Sequence, residues 1–212
     1  MGAGHWRAVA GEPTVTRMPT SLANPRVGVA WALAKSLLEN QGDRWEHTIG
    51  VAQRAEELAT TVDPSQQATL LVAAWLHDIG YSPAVAKTGF HPLDGAACLD
   101  HHGWPGRIAA LVAHHSGADF LARAYGLQAA LDRYPSEGSP IADALTYADQ
   151  TTGPSGQRLP IRARMAEMLA RHGPESAQAW VHHLREPHPL AVARRVRQRM
   201  GNSAAPEQSG EA

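Results

Sequence analysis

The stretch from Leu70 to Gly80 reads LLVAAWLHDIG, and it decides the fold that we predict for this chain. Its first seven residues are all apolar, so a helix built from them has no polar face. Such a helix needs neighbours on every side, which places it at the centre of the protein, and Ser65 can cap its start. Because the run ends in His77-Asp78, the sequence predicts two ionisable side chains at the end of a buried helix.

The rest of the chain also has helical spacing of its apolar residues, without strand-like alternation or an internal repeat. We therefore predict an all-α fold, a compact helical bundle of residues 25–200. Residues 1–24 mix Gly, Pro, Thr and Arg, residues 201–212 contain Ser, Ala, Gly, Glu and Pro, and neither segment is periodic, so we expect disordered tails there. The predicted helices cover about residues 25–40, 43–62, 65–76, 91–101, 105–115, 141–149, 159–169 and 175–200, the last two amphipathic and rich in Arg, with a looser region over 118–138.

The composition excludes several classes of partner. A formal net charge of -1 over 212 residues gives no basic footprint, so we expect no stable complex with a nucleic acid or an anionic membrane. The single cysteine, Cys98, allows no internal disulfide. No apolar run reaches the roughly 18 residues of a membrane span, and the N-terminus has no apolar region typical of a signal peptide. We therefore expect a cytoplasmic protein, and the oligomeric state stays open.

Four ionisable residues are predicted to point inward. His47 lies on the apolar stripe of its helix, Asp149 follows Ile141 and Leu145 at intervals of four, and the pair His77-Asp78 ends the central helix. An unpaired carboxylate or charged imidazole in such a position costs several kcal/mol, so these groups need a compensating partner. Neutral imidazole and carboxylate suit Zn, Mn, Fe, Co or Ni. The sequence therefore predicts a divalent-metal site.

This set of residues resembles the HD-domain superfamily of metal-dependent phosphohydrolases, whose pattern is a His, then a His-Asp doublet, then a distant Asp. The chain has that order in His47, His77-Asp78 and Asp149, and the surrounding sequences are similar too. They are RWEHT at 44–48, LHDIG at 76–80 and YAD at 147–149. The resemblance spans about residues 43–152, and it implies a helical HD-type domain with a metal-dependent active site.

Some branches of this superfamily hold two metals, with an additional His after the doublet and another His or His-His about one helix later. In this chain His91 and the pair His114-His115 resemble those additions, and the resemblance then implies that Asp78 bridges the two ions. Neighbouring helical residues point about 100° apart, so either His114 or His115 can face the site. We favour His114. The expected cofactors are one or two divalent ions among Mn, Fe, Co, Ni and Zn.

Such a site would act with Asp78 at its centre. Two metals polarise a phosphoryl oxygen and supply a hydroxide from bound water, whose pKa a single ion can lower to about 7. Arg44, one turn before His47, and Lys87, after the doublet, are candidates to hold phosphate oxygens. Some members of the superfamily place a Lys soon after the doublet, where this chain has Tyr81. The alternatives are that Arg44 pairs with a neighbouring carboxylate and that Lys87 is a solvated loop residue.

The resemblance thus implies a hydrolase of a phosphomonoester or phosphodiester, and we expect a small phosphorylated substrate, a nucleotide above all. Residues 81–90 and 150–156 are expected to form much of the pocket wall, since both adjoin ligand candidates. Two other functions stay open. Some superfamily relatives use a di-iron pair to activate oxygen, and a non-catalytic sensor that only binds a nucleotide is the third reading. The presence of every expected ligand favours an enzyme over the sensor.

Overall fold

The computed structural model describes residues 20–204. The predicted disorder of residues 1–24 and 201–212 therefore lies mostly outside the described residues. Where the two overlap, Thr20–Ala23 form a 3-10 turn and the last helix continues to Ala204. The predicted ends of the bundle are thus extended by a few ordered residues on each side.

The described part of the chain is all-α, as predicted, and its one β feature is an isolated bridge between Thr152 and Arg158. The helices α1, α4, α5, α8 and α9 begin and end within three residues of the predicted bounds. The α-helices are α1 (Pro25–Leu38), α2 (Asp43–Glu57), α3 (Gln67–Leu76), α4 (His91–His101), α5 (Gly106–His114), α6 (Ala118–Ala124), α7 (Gln128–Leu131), α8 (Pro140–Gln150), α9 (Ile161–His172), α10 (Ala177–Trp180), α11 (His182–Arg185) and α12 (Pro187–Ala204).

Helix α3 lies at the centre of the bundle, where it packs against α1, α2, α5 and α8. Every residue from Leu70 to Leu76 is buried, including the large ring of Trp75. Burying one large apolar side chain contributes roughly 1.5–3 kcal/mol, so this short helix anchors the core. The central position predicted from its all-apolar run is confirmed.

The starts of α2 and α3 depend on their capping residues. Gly42 occupies the cap position of α2 with a φ of 53°, a conformation that glycine adopts without steric cost. The approach to α3 is a 3-10 turn, Pro64–Gln66, that Asp63 caps by accepting a hydrogen bond from the backbone N–H of Ser65 at 2.8 Å. Ser65 was expected to cap α3, but it lies inside the turn that precedes this helix.

Three segments differ from what the spacing predicts. Helix α2 ends at Glu57, earlier than predicted, and a 3-10 turn, Ala59–Thr61, follows it because β-branched residues crowd this end of the segment. The region 118–138, expected to be loose, contains α6 and α7. The helix predicted over 175–200 is divided into α10, α11 and α12, and Pro187 begins the last of these, since proline is tolerated only in a first turn.

The packing of five helices positions one interior site. Helices α2, α3 and α8 contact one another, and α4 packs against α5. The 3-10 turn that follows α3, Ile79–Tyr81, lies so close to α4 that a Cβ added to Gly80 would be 2.0 Å from the carbonyl oxygen of His91. This contact fixes the start of α4 next to the end of α3, where His77 and Asp78 are found.

Candidate metal centre

Four polar side chains from α2, α3 and α8 meet in the interior. His47 lies in the second turn of α2, His77 and Asp78 directly follow α3, and Asp149 lies at the end of α8; none is more than 6% exposed. Nε2 of His47 is 2.9 Å from Oδ1 of Asp149 and 3.7 Å from Oδ2 of Asp78, and Nε2 of His77 is 3.3 Å from the same Asp78 oxygen. The structure thus brings together the four residues that the sequence places on inward positions.

Two further histidines face the other oxygen of Asp78. Nε2 of His91, the first residue of α4, is 3.3 Å from Oδ1 of Asp78, and Nε2 of His115 is 3.8 Å from it. These two Nε2 atoms are 3.3 Å apart. Asp78 therefore stands between two sets of ligand atoms, one reached through each carboxylate oxygen.

Three of these histidines are held by backbone carbonyl groups, which accept a hydrogen bond from Nδ1. Because a carbonyl oxygen can only accept, Nδ1 carries the hydrogen, so the lone pair of the ring in its neutral form lies at Nε2. Nε2 of His77 is buried and has no hydrogen-bond partner within residues 20–204. This orientation of the imidazoles suits a metal ion. The hydrogen bond at Nδ1 fixes the ring, and the metal binds the lone pair at Nε2. The pairs are His47 with Gly153 (3.1 Å), His77 with Ala74 (2.8 Å) and His115 with Val112 (2.6 Å).

The charge states also suit metal binding. Burial alone would raise the pKa of Asp78, but its interactions with His77 and Arg44 hold that pKa well below its usual range. Burial lowers the pKa of both His91 and His115. Burial also opposes the charged form of His77, but the carboxylate of Asp78 raises the pKa of this histidine, so a metal ion there has to displace a proton. An ionised carboxylate and neutral imidazoles are the forms that bind a divalent ion. The residues present therefore fit the group that the sequence predicts.

The structure corrects the choice between His114 and His115. Nε2 of His114 donates to the carbonyl oxygen of Tyr134 at 2.7 Å, and its Nδ1 lies 3.1 Å from Asp119, so its ring points away from Asp78. Helix α5 ends at His114, and His115 has an extended ψ of 150°. This break turns His115 toward the site, a change that the 100° spacing of a continuous helix does not anticipate.

Arg44 and Lys87, both predicted to hold phosphate oxygens, have different positions. Arg44 lines the cavity at the site, and its Nη1 is 2.5 Å from Oδ2 of Asp78. Lys87 is exposed and does not line the cavity. The carboxylate of Asp94 accepts hydrogen bonds from the backbone N–H groups of Lys87 and Thr88, which holds this loop away from the site. The expected role of Lys87 is therefore corrected.

Tyr81 is a site residue that the sequence analysis noted only as a departure from the superfamily pattern. Its ring stacks on that of His91, with centroids 3.9 Å apart and planes inclined by 18°. Cζ of Arg44 lies 3.8 Å from the centroid of the Tyr81 ring. Burial and the charge of Asp78 raise the pKa of Tyr81 to about 12, so the phenol stays neutral. Tyr81 therefore orients a guanidinium and an imidazole through its ring.

A cavity of about 70 Å³ opens beside the two carboxylates, Asp78 and Asp149. Of the two segments predicted to form its wall, 81–90 and 150–156, only Tyr81 and Gln150 line it. The sequence analysis missed the larger contribution, because α9 and the segment after it are predicted only as amphipathic helices rich in Arg, a composition that solvent-exposed helices share. These residues of α9, α10 and α11 are Arg164, Met168, Arg171, His172, Gln178 and Arg185.

Comparison with known proteins agrees with this geometry. The family model of the HD domain matches residues 44–153, just over half of the chain. The chain therefore belongs to the HD superfamily of metal-dependent phosphohydrolases. No curated protein and no solved structure matches it. In residues 20–204, no helix is both long and apolar enough to cross a membrane.

Proposed function

We propose that this protein hydrolyses phosphoric esters with two divalent transition-metal ions drawn from Mn, Fe, Co, Ni and Zn. One observation carries the proposal, which is that the two oxygens of Asp78 face two different sets of imidazole Nε2 atoms. A carboxylate in that position is suited to bridge two ions. The proposed ligands are His47, His77, Asp78 and Asp149 for one ion and Asp78, His91 and His115 for the other.

When bound, two such ions polarise a phosphoryl oxygen and lower the pKa of the water that attacks phosphorus. The chain orients the participants: Ser116 donates a hydrogen bond from its hydroxyl to Asp149, and backbone carbonyls hold the histidine rings. Arg44 uses one guanidinium nitrogen on Asp78 and has further N–H donors for a phosphate oxygen. Binding and positioning are therefore supplied by side chains already held in place.

The size of the cavity limits what it encloses. Pockets for whole small molecules usually have about 300–1,000 Å³, against about 70 Å³ here. Only the reacting phosphoryl group fits inside, so the rest of the substrate lies at the surface. A nucleotide is the substrate class that membership of the HD superfamily favours.

A screen of phosphorylated metabolites, with the purified protein loaded in turn with Mn, Co, Ni and Fe, tests the proposal. We expect phosphate release by wild type and none by Asp78→Ala or Asp78→Asn. Asp100→Ala is the matched control, because Asp100 is an exposed carboxylate on α4, and it should retain turnover. Metal content is measured on each variant by mass spectrometry.

Two results would contradict this function. If Asp78→Asn kept its turnover, the bridging carboxylate would not be needed for the reaction. Bound iron with oxygen-dependent turnover and no phosphate release would replace the hydrolase with an oxygenase, and oxygen uptake is therefore recorded with each assay.

A further inference from the structure

Arg185, the last residue of α11, is a buried cation whose side chain has no hydrogen bond or ion pair to any of residues 20–204, although the charge of Asp149 attracts it. Only 7% of the residue is exposed, and it lines the cavity beside Asp78 and Asp149. Its Nε is buried with no hydrogen-bond partner, and no carboxylate of residues 20–204 forms an ion pair with it. An uncompensated buried charge is destabilising, so the position calls for an anion from outside the chain.

The other arginines of the cavity are already engaged. Nη1 of Arg164 lies 2.6 Å from Glu167, and its Nε donates to a backbone carbonyl. Arg171 contacts the same glutamate at 2.8 Å, and Arg44 is paired with Asp78. Among the described residues, Arg185 is therefore the guanidinium of this cavity that has no carboxylate partner, and all of its N–H donors are open to a ligand.

The charge of the lining favours a dianion. Among the described residues four guanidinium groups line the cavity against two carboxylates, and bound divalent ions would add to the positive side. At neutral pH a phosphomonoester carries up to two negative charges and a phosphodiester carries one. The small volume acts in the same direction, since a diester needs room for two substituents. The lining carboxylates are Asp78 and Asp149, and the guanidinium groups belong to Arg44, Arg164, Arg171 and Arg185.

We propose that Arg185 binds the non-bridging oxygens of the reacting phosphoryl group and that the substrate is a phosphomonoester. This rests on the proposed function, and it assigns a phosphate-binding residue outside the segment 44–153 that matches the HD domain. The guanidinium supplies two parallel N–H donors to a phosphate, a geometry that a lysine cannot reproduce.

Calorimetric titration of inorganic phosphate into the manganese-loaded protein tests the binding role without relying on turnover. A charge-assisted hydrogen bond contributes about 1.5–3 kcal/mol, so we expect Arg185→Met to bind phosphate roughly tenfold more weakly or worse, with Arg185→Lys between it and wild type. Arg194→Met is the matched control, since Arg194 is exposed on α12, and it should leave the affinity within about twofold of wild type.

Melting and metal content separate binding from folding. Arg185→Met removes a buried unpaired charge, so it should melt at or above the wild-type temperature and hold the same number of manganese ions. Lost phosphate affinity in a stable, fully loaded variant supports the proposal. A lower melting temperature together with unchanged phosphate affinity would mean that Arg185 is structural and would overturn it.

Kinetics with p-nitrophenyl phosphate and bis(p-nitrophenyl) phosphate test the substrate class. We expect wild type to prefer the monoester in kcat/KM, and Arg185→Met to lose most of that preference because its monoester turnover falls further than its diester turnover. A wild-type preference for the diester would overturn the substrate assignment alone. Failure to hydrolyse any phosphoric ester would instead overturn the proposed function, and the calorimetric result would still stand as a separate test of Arg185.

Discussion

Gly80→Ala tests how the fold and the position of His91 depend on the close approach of two backbone segments. A Cβ at residue 80 would lie 2.0 Å from the carbonyl oxygen of His91 and 2.8 Å from the backbone nitrogen of Gly95, whereas Cβ contacts essentially never fall below 3.0 Å. Both neighbours are backbone atoms, so no side-chain rotation relieves the clash. The turn that contains Gly80 and the start of α4 must therefore separate by at least 1 Å, from 2.0 to 3.0 Å.

The separation has a cost in stability and a cost in geometry. Overpacking usually destabilises by about 1–3 kcal/mol, and a backbone clash belongs at the upper end. For a chain of this size 1 kcal/mol shifts Tm by about 2–4 °C, so we expect a fall of roughly 6–12 °C. Nε2 of His91 lies 3.3 Å from Asp78, and metal–ligand distances tolerate only about 0.2 Å, so a 1 Å shift removes His91 from the second ion.

Thermal melting and metal content by mass spectrometry, on manganese-loaded protein, measure both effects. We expect Gly80→Ala to hold one ion per chain where wild type holds two. Gly106→Ala is the control: a Cβ there has nothing within 4 Å, so this variant should be neutral or more stable by up to about 1 kcal/mol. A Gly80→Ala protein that melts within about 2 °C of wild type and keeps both ions would refute the reasoning.

Two further predictions test the site and the packing around it. His115→Asn should reduce the bound metal from two ions to one, whereas His114→Asn should keep both and lose about 1 kcal/mol of stability with its hydrogen bonds; loss of an ion from the His114 variant would contradict the assignment. Arg195 and Arg199 donate to Asp143, which joins α8 to α12, and although burial opposes the shift, these hydrogen bonds lower the pKa of Asp143. A lowered pKa stabilises the fold fully above the unfolded value of about 3.9 and loses this effect as the pH falls through the folded value. In urea denaturation we therefore expect Asp143→Asn to be about 1 kcal/mol less stable than wild type at pH 7, with a smaller difference at pH 3; a difference that is equal at both pH values would contradict this.

The core of the site could be predicted from sequence because its signals are local. The apolar run before His77 leaves no polar face on α3, so the helix must be central and its last residues must lie inside. His47 and Asp149 each share a helical stripe with apolar neighbours, so burial of the stripe buries them too. These residues meet because α2, α3 and α8 pack against one another, and the HD pattern has its residues on these helices in the same order along the chain.

The choice between His114 and His115 could not be predicted in the same way. Helical periodicity assumes a continuing helix, and α5 stops between these two residues. The residue after them, Ser116, has a φ of 56°, and its hydroxyl reaches Asp149. The direction of His115 therefore depends on a non-helical turn that is stabilised by the contact between Ser116 and Asp149, a residue 33 positions further along the chain.

Lys87 shows a second limit of local reasoning. Its sequence distance from His77-Asp78 allows it to reach the site, and only the structure shows Asp94 holding the backbone of this loop through several hydrogen bonds. Such a contact between a loop and the helix after it produces no periodic pattern in the sequence. The positive charge expected from Lys87 comes instead from the arginines of α9 and α11 that line the cavity.

The cationic wall comes from α9 and α11, where arginine is unremarkable by sequence because amphipathic helices commonly carry it on the solvent side. Arg162 fits that expectation, since it pairs with Glu186 and is well exposed. Arg185 is next to that glutamate in sequence, yet it is buried and forms no ion pair with any carboxylate in the part of the chain that the structure describes. Since a buried free guanidinium lowers stability, its presence beside two buried carboxylates is explained by a bound anion better than by folding. The metal-binding residues of the HD domain would thus supply the reaction, and a residue outside that domain would select the charge of the substrate.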